Sequence, residues 1–256
     1  MASMAQRVLV TAGAGGIGQA IATRFVAAGA RVHVADIDTG AIDRLRATQP
    51  QVSATVADVA RPQDVARLFD DVKRELGGLD VLVNNAGIAG PTAAAAEYPF
   101  SGWREVIGVN LDGTFLVTQG AIPMLRKSAR GSIVIMSSVA GRFGYPNRIG
   151  YATTKWGLVG FAKTLSLELG QYGITCNAIH PGGVEGERVR NVLAARARLS
   201  GRSIEQETEL ALANQAIKKF VDPQDIAELI LFLAGPHGRS ITGQSIPIDG
   251  DSKSAQ

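Results

Sequence analysis

Short apolar runs rich in Val, Ile and Leu alternate with helical stretches along nearly the whole chain. The predicted strands cover residues 7–10, 31–35, 52–56, 81–83, 132–136, 175–179 and 244–248. The predicted helices cover residues 17–28, 39–47, 62–76, 103–126, 152–169 and 223–234. Such alternation builds right-handed β-α-β units, which place helices on both faces of a parallel sheet. The sequence therefore predicts one α/β domain over residues 1–256, with a doubly wound parallel sheet of about seven strands.

Composition agrees with this fold and excludes several kinds of protein. Hydrophobic residues make up 46% of the chain but aromatics only 5%, a mixture that suits parallel strands under closely packed helices. With 26 basic and 23 acidic residues, the net charge of +3 gives no argument for nucleic-acid binding. No run approaches the ~20 apolar residues of a membrane span. We expect a soluble, cytoplasmic protein that binds neither membrane nor nucleic acid.

Cysteine and histidine usage argues against disulfides and metal sites. Cys176 is the only cysteine, so it has no partner within the chain, and its apolar surroundings predict a small buried residue. The three histidines, His33, His180 and His237, lack the spacing of metal ligands. We predict no metal. His180 lies next to Pro181, where a packed histidine at a strand end is the expected interpretation and a residue at the edge of a site is the alternative.

A glycine-rich turn joins the first strand to the first helix. Gly13, Gly15 and Gly18 fit the pattern G-x-G-x-x-G in the required strand–turn–helix context, as Rossmann folds place it. Such a turn lets the backbone approach a pyrophosphate, and the helix start supplies amide donors. Asp36, at the end of the second strand, fits a carboxylate that accepts the ribose hydroxyls and repels a 2′-phosphate. Since Ile37 and Asp38 follow rather than an arginine, NAD is expected in preference to NADP.

Tyr151 and Lys155 lie four residues apart on a predicted helix and so share one face. A nearby ammonium favours the phenolate over the phenol, which suits the tyrosine to proton transfer. Ser138, 13 residues before Tyr151, is a polar side chain able to hold a carbonyl or hydroxyl oxygen beside this pair. Together they predict acid–base chemistry on an alcohol or ketone. The alternative is a solvated helix pair beside a serine that only ends a strand.

In these motifs and their order, the chain resembles the classical short-chain dehydrogenase/reductase family over nearly its whole length. The matching pieces are residues 11–18, Asp58-Val59, residues 84–87, Asn110, Ser137-Ser138, the segment from Tyr151 to Lys155, Pro181-Gly182 and the ending 241–250. The resemblance implies catalytic roles for Asn110, Ser138, Tyr151 and Lys155. Asn110 would hold a water of the proton relay. The family's homotetramer, built through the helices at 103–126 and 152–169 and the last helix and strand, is also expected.

The resemblance also implies a set of cofactor contacts. These are Gly13, Gly16, Ile17, Gly18, Asp36, Asp58, Val59, Asn85, Ala86, Gly87, Tyr151, Lys155, Pro181, Gly182 and Val184. Ala12 departs from the family pattern, which has glycine at that position. We expect the methyl group to be tolerated there through a negative φ. Gly183, Val184 and Glu185 follow Pro181-Gly182 where many members place a threonine.

The substrate side is predicted in two segments. Residues 142–148, including Tyr145, lie between Ser138 and Tyr151 and so run close to the reacting carbon. Residues 185–219 break the strand–helix rhythm and are interpreted as a helical lid insertion. Its part at 185–202 carries five arginines. Of these, Arg188 lies nearest in the sequence to Pro181-Gly182 and is the candidate contact for an anionic or polyhydroxylated substrate. The competing interpretation is a solvated amphipathic helix whose buried stripe is Val189, Val192, Leu193 and Ala197.

Three functions compete. The leading hypothesis is an NAD-dependent oxidoreductase that interconverts a secondary alcohol, favoured as a sugar, polyol or hydroxy acid, and its ketone. An NADPH-dependent 3-oxoacyl thioester reductase is the alternative within enzymes, and Asp36 argues against its cofactor. A non-catalytic Rossmann nucleotide sensor is the alternative from another class, and the intact acid–base set argues against it.

Overall fold

The computed structural model describes residues 5–255, apart from the side chains of Arg188, Ala195, Arg196 and Leu199. The strands are β1 (Arg7–Thr11), β2 (Arg31–Asp36), β3 (Ser53–Val56), β4 (Val81–Asn84), β5 (Ser132–Met136), β6 (Thr175–Pro181) and β7 (Ser245–Ile248). The α-helices are α1 (Gly16–Ala27), α2 (Thr39–Thr48), α3 (Pro62–Leu76), α4 (Phe100–Ile107), α5 (Gly113–Leu125), α6 (Ile149–Leu169), α7 (Glu187–Ser200), α8 (Ile204–Ala213) and α9 (Pro223–Ala234).

The seven strands form one sheet in the order β3-β2-β1-β4-β5-β6-β7, and every neighbouring pair is parallel. The strand order reverses between β1 and β4, because the chain returns to the middle of the sheet after β3. Open α/β sheets bind ligands in the crevice outside the carboxyl ends of the strands at such a reversal. The predicted doubly wound Rossmann fold is confirmed.

Both faces of the sheet are buried. Val8 and Val10 of β1 join the apolar layer on one face, while Leu9 joins the layer on the other, as the alternation of side chains along a strand requires. The strands β4, β5 and β6 are buried at every residue. Cys176 on β6 is buried as predicted, and this burial raises the pKa of its thiol to about 12. Among residues 5–255, no helix combines the length and apolar character that crossing a membrane requires.

Most helix boundaries follow local signals in the sequence. Asp222 caps α9 by accepting a hydrogen bond from the Gln224 amide at 2.8 Å, and Pro223 occupies the first helical position. Gly77 ends α3 in the left-handed conformation. Gly170 follows the last residue of α6 in a right-handed conformation and begins a short 3₁₀ turn. The left-handed residue is Gly173, where φ is 67°.

The single helix predicted over residues 103–126 is wrong in two respects. The helical segment begins earlier, at Phe100, and a π-helical turn over Gly108–Asp112 separates α4 from α5. Gly108 begins this turn, Gly113 follows it, and Asn110 within it is fully buried. A π turn inserts one extra residue, which redirects a side chain that an uninterrupted helix would point elsewhere.

The segment 185–219 is connected to the sheet by a stem, in which the chain on either side of the segment pairs in parallel at Val184 and Val221. The Glu185 amide donates to the Val221 carbonyl at 2.9 Å, and the Val221 amide donates to the Gly183 carbonyl at 2.8 Å. Between the two sides of the stem lie α7 and α8, and Ser203 and Gln206 form a capping box at the start of α8. This helical pair therefore stands on the carboxyl end of β6, beside the crevice.

Candidate active site

Ser138, Tyr151 and Lys155 line one cleft of about 610 Å³ at the carboxyl ends of the central strands. Ser138 follows β5 and begins a 3₁₀ turn over Val139–Gly141, where its Oγ accepts from the Ala140 amide at 3.2 Å. Tyr151 and Lys155 lie in the first turns of α6, and the Lys155 Nζ is 5.5 Å from the centre of the Tyr151 ring. The three predicted side chains thus meet, although they come from a strand end and a helix.

Two buried hydrogen bonds fix Lys155 against the end of β5. Its Nζ donates to the Met136 carbonyl at 2.7 Å, and its own carbonyl accepts from the Ser137 hydroxyl at 2.8 Å. Gly141 is needed for this contact, since a Cβ at that position would overlap the Ser137 hydroxyl and the Lys155 carbonyl. Lys155 is only 4% exposed, so its ammonium acts in a largely desolvated setting.

The π turn brings Asn110 to the back of the cleft. Its Oδ1 accepts from the Ile88 amide at 2.8 Å, while its Nδ2 donates to the Ile88 carbonyl and to the Thr154 hydroxyl, both at 3.0 Å. Gly87 separates Asn110 from Lys155, and a Cβ there would lie 3.2 Å from the Asn110 Oδ1 and 3.4 Å from the Lys155 Nζ. Asn110 therefore ties the segment after β4 to α6, next to the lysine.

The glycine turn leaves room for a ligand at the start of α1. Built onto Gly15 or Gly16, a Cβ would meet no atom within 4 Å, and both residues line the cleft. The first amides of α1 have no carbonyl partner within the helix and so favour an anion. The residues present fit the pyrophosphate of a dinucleotide.

Gly13 and Gly18 are required for packing and do not line the cleft. A Cβ at Gly13 would lie 2.7 Å from the Val34 side chain, and one at Gly18 would overlap the Ala12 carbonyl. Asn85 Nδ2 donates to that same carbonyl at 3.1 Å. Close approach of the turn to β2 at Gly13, and of α1 to the turn at Gly18, explains why these two positions hold glycine.

Ala12 adopts a positive φ of 47°, contrary to the negative φ expected from the sequence. The turn between β1 and α1 demands the left-handed region there, and alanine occupies it at a cost in backbone strain. The conformation is held from outside the turn, since the Thr11 hydroxyl accepts from the amides of Asn85 and Ala86 at 3.0 Å. Tertiary contacts with the end of β4 therefore fix this backbone.

Asp36 is the last residue of β2, and Asp58 follows the end of β3. Neither residue lines the cleft. The Asp36 carboxylate accepts from the Ala14 amide at 3.0 Å and from the Asp38 amide at 3.1 Å, which places it against the glycine turn. Asp58 accepts from the Ala60 amide at 2.9 Å. Val59 and Ala86, two further predicted contacts, also lie outside the lining. The Asp36 carboxylate is thus fixed at the end of β2, beside the glycine turn.

The segment after β6 forms the opposite wall of the cleft. Pro181, Gly182 and Val184, three of the predicted cofactor contacts, line it. The Gly182 amide donates to the Ile248 carbonyl at 3.0 Å, and a Cβ at Gly182 would lie 2.9 Å from the Asp249 Cα. Close packing on the end of β7 thus holds this wall in place.

The lid turns its apolar stripe toward the cleft. Val189, Val192 and Leu193 of α7 line the cleft, whereas Arg190 and Arg198 are exposed. Arg202 forms an ion pair with the buried Glu207 at 3.2 Å. The side chain of Arg188, the predicted substrate contact, lies outside the described residues.

Four polar residues that the sequence did not indicate also line the cleft. They are Asn214, Gln215, Ser252 and Ser254. Tyr145, which was predicted, lines it too and meets Tyr151 edge to face with the ring centres 6.5 Å apart. Arg148, the last residue of the segment 142–148 that was expected near the reacting carbon, lines the cleft as well. The residues at 214–215 and 252–254 follow no motif, and only the folded chain brings them to the site.

Comparisons with known proteins agree with this geometry. A family model described as enoyl-(acyl carrier protein) reductase matches residues 12–250. D-beta-hydroxybutyrate dehydrogenase of Rhizobium meliloti is 34% identical over 256 residues, covering 96% of this chain and 98% of the relative.

Solved structures extend the likeness to the backbone. An NAD⁺-bound xylitol dehydrogenase superposes with a TM-score of 0.89 at 27% identity, covering 96% of this chain and 98% of that one. An actinorhodin polyketide ketoreductase with NADPH superposes with a TM-score of 0.90 at 33% identity, covering 98% of each chain. Since these two structures hold different cofactors, the likeness does not decide between NAD and NADP.

Replacing Ala12 by glycine is expected to stabilise the protein, unlike most alanine-to-glycine changes. A left-handed residue other than glycine costs about 1–2 kcal/mol, and the extra freedom of glycine in the unfolded chain offsets about 0.5–1 kcal/mol of the gain. The melting temperature should rise by roughly 1–3 °C. Ala14→Gly, a buried position in the same turn without positive φ, is the control and should lower it. Equal destabilisation by both changes, measured by calorimetry, would show that Ala12 is unstrained.

Proposed function

The chain belongs to the short-chain dehydrogenase/reductase family, and on this premise we propose that it interconverts a polar secondary alcohol and its ketone with NAD. It is an oxidoreductase of the alcohol dehydrogenase and ketoreductase class (EC 1.1.1.-). The observation that supports the proposal is the single cleft shared by the glycine turn, Ser138, Tyr151 and Lys155. A pure nucleotide sensor has no use for such an acid–base set, so that alternative is set aside.

The proposed chemistry assigns one task to each side chain. Tyr151, as the phenolate, removes the hydroxyl proton from the substrate. Ser138 donates a hydrogen bond to the substrate oxygen and so orients it. The Lys155 ammonium stabilises the phenolate electrostatically, and it is also proposed to hold the nicotinamide ribose. The cofactor, when bound, accepts the hydride.

Asn110 is proposed to support the return of the proton to solvent. The Ile88 amide occupies one lone pair of its Oδ1, and a carboxamide oxygen has two. The other lone pair is proposed to hold a water near Lys155, from which Gly87 separates Asn110. Proton transfer would then run from Tyr151 through the lysine and this water.

The substrate is proposed to be a sugar, a polyol or a hydroxy acid, with a short hydroxy acid favoured. Arg148 brings a cation to the cleft near Tyr151, and a guanidinium binds a carboxylate through two parallel hydrogen bonds. The apolar stripe of α7 would cover the carbon skeleton. The relative from Rhizobium meliloti is named for D-beta-hydroxybutyrate, which is a substrate of this kind.

We propose a homotetramer built through the α4–α5 segment, α6, α9 and β7. Phe115 on α5, Trp156 on α6 and Phe232 on α9 are each about half exposed, and Leu167 on α6 is 84% exposed. Aromatic side chains at helix surfaces are typical of buried interfaces. Sedimentation velocity at micromolar concentration should show a species of about four times 26.8 kDa. A sample containing only the 26.8 kDa monomer would rule this assembly out.

Tyr151→Phe is expected to lower kcat by at least ~10²-fold, since general acid–base assistance is worth that much. NAD affinity should change little, because the ring remains to pack. The measurement is NADH absorbance with a panel of hydroxy acids, sugars, polyols and acyl thioesters. Tyr172→Phe, at the surface beside Arg126, is the matched control and should keep full activity. Retention of more than about a tenth of kcat by Tyr151→Phe would remove the tyrosine from the proposed role.

Cofactor choice is expected to depend on Asp36. The wild type should use NAD with a higher kcat/KM than NADP, because the carboxylate repels a 2′-phosphate. Asp36→Asn removes the charge and should move the ratio toward NADP by about tenfold or more. Asp43→Asn, an exposed change of equal charge on α2, should leave the ratio unchanged. A wild type that prefers NADP and reduces 3-oxoacyl thioesters would favour the alternative thioester reductase.

A further inference from the structure

The strands β5 and β6 separate just where Ser138 begins. Their register ends at Met136 and Ile179, and one further bond runs from the Ser137 amide to the Ile179 carbonyl at 2.8 Å. Beyond that point the backbone of Ser138 leaves the sheet and enters the 3₁₀ turn. A serine at such a divergence has no strand partner to hold its peptide plane.

The side chain of His180 takes the place of the missing strand contact. Its Nδ1 lies 2.8 Å from the Ser138 carbonyl oxygen, which also accepts from the Gly141 amide at 2.8 Å. A carbonyl oxygen only accepts, so Nδ1 is the nitrogen that carries the proton. Both lone pairs of the Ser138 carbonyl are therefore engaged, one from within its own turn and one from β6.

His180 is built into this place as a neutral ring. It is fully buried, and its Nε2 has no hydrogen-bond partner among the described residues. Desolvation lowers the pKa of His180, and the charges of Arg142 and Lys155 act in the same direction, against the opposing effects of the Ser138 hydrogen bond and of Asp249. A second proton on Nε2 would leave a buried N–H unpaired, which costs about 1–3 kcal/mol.

The contact bears directly on the serine hydroxyl. The Ser138 Oγ accepts from the Ala140 amide, so the hydroxyl, the turn and the carbonyl form one small unit. The Gly141 bond lies within that unit and cannot stop it from rotating as a whole. The His180 bond joins it to β6, and the ion pair of Arg142 with Asp249 at 3.0 Å holds the far end of the turn.

We propose that His180 is a positioning residue, which holds the Ser138 carbonyl through Nδ1–H and thereby sets where the serine hydroxyl meets the substrate oxygen. The inference rests on the proposed role of Ser138. His180 itself does not line the cleft. Because an error of about 1 Å in a reacting group can cost up to ~10²-fold in rate, such a residue should act on kcat rather than on cofactor binding.

The first test is spectroscopic and needs no substrate. Histidine labelled with ¹⁵N distinguishes a proton on Nδ1 from one on Nε2, and the chain has only three histidines to assign. The His180→Asn spectrum identifies the signals of His180. We expect a neutral ring with the proton on Nδ1 at pH 7. A proton on Nε2, or a doubly protonated ring, would overturn the proposal.

The second test compares two amides. In His180→Asn the new amide nitrogen would lie where Nδ1 lies, so this change retains the hydrogen-bond donor to the Ser138 carbonyl. In His180→Gln the amide would lie at the position of Nε2, so this donor is lost. With the best substrate of the panel, His180→Gln should lose about tenfold or more in kcat, while His180→Asn stays within about threefold of the wild type. NAD affinity should stay within about twofold in both. Thr175→Val, which removes another buried hydrogen bond from β6, is the control and should keep kcat.

A double variant separates positioning from general damage. In a Ser138→Ala background, His180→Gln should cost less than about twofold in kcat, because the residue through which it acts is gone. Additive losses, or equal losses for His180→Asn and His180→Gln, would overturn the inference. Unchanged kcat in Ser138→Ala alone would overturn the proposed role of the serine, and this inference with it. A loss in Ser138→Ala that His180→Gln does not share would overturn this inference only.

Discussion

The contact between the end of β5 and the first turns of α6 is the constraint on which the rest of the cleft depends. Ser137 bonds the Lys155 carbonyl, and the Lys155 ammonium bonds the Met136 carbonyl, so strand and helix are joined twice in a buried setting. Gly141 allows the turn between them to lie against the helix. Buried hydrogen bonds are costly to leave unmade, and this fixes the distance between the serine and the Tyr-Lys pair.

The nucleotide end is fixed by a comparable set of contacts across the switch point of the sheet. Thr11 at the end of β1 accepts from the amides that follow β4, and Asn85 returns bonds to the carbonyls of Thr11 and Ala12. These bonds hold Ala12 in a backbone region that alanine avoids. The same segment continues to Gly87, beside Lys155, so the two halves of the cleft share one piece of chain.

The substrate end is built differently, from segments added to the sheet. The segment 185–219 stands on the stem between Val184 and Val221, and the tail after β7 is held by Asn214, whose Nδ2 donates to the Ser254 carbonyl at 2.9 Å. Helix α7 contributes apolar side chains to the cleft, while polar side chains come from Glu185, Glu187, Asn214 and Gln215 and hydroxyls from the tail. This end of the cleft therefore presents both apolar and polar surface.

Local sequence determined the strands, most of the helices and the candidate acid–base residues, because strand periodicity, glycine turns and the Tyr-x-x-x-Lys spacing are encoded within a few neighbouring residues. It did not determine the sign of φ at Ala12 or the π turn around Asn110, since bonds to Asn85 and Ile88, distant in the chain, select those conformations. Nor did it show that α7 faces the cleft with its apolar side. An amphipathic sequence pattern shows that a helix has an apolar and a polar face, but not which parts of the protein those faces contact. Only the tertiary structure shows that His180 bonds the Ser138 carbonyl and that the tail lines the cleft, since the crossing of separate segments at the end of the sheet leaves no pattern in either segment alone.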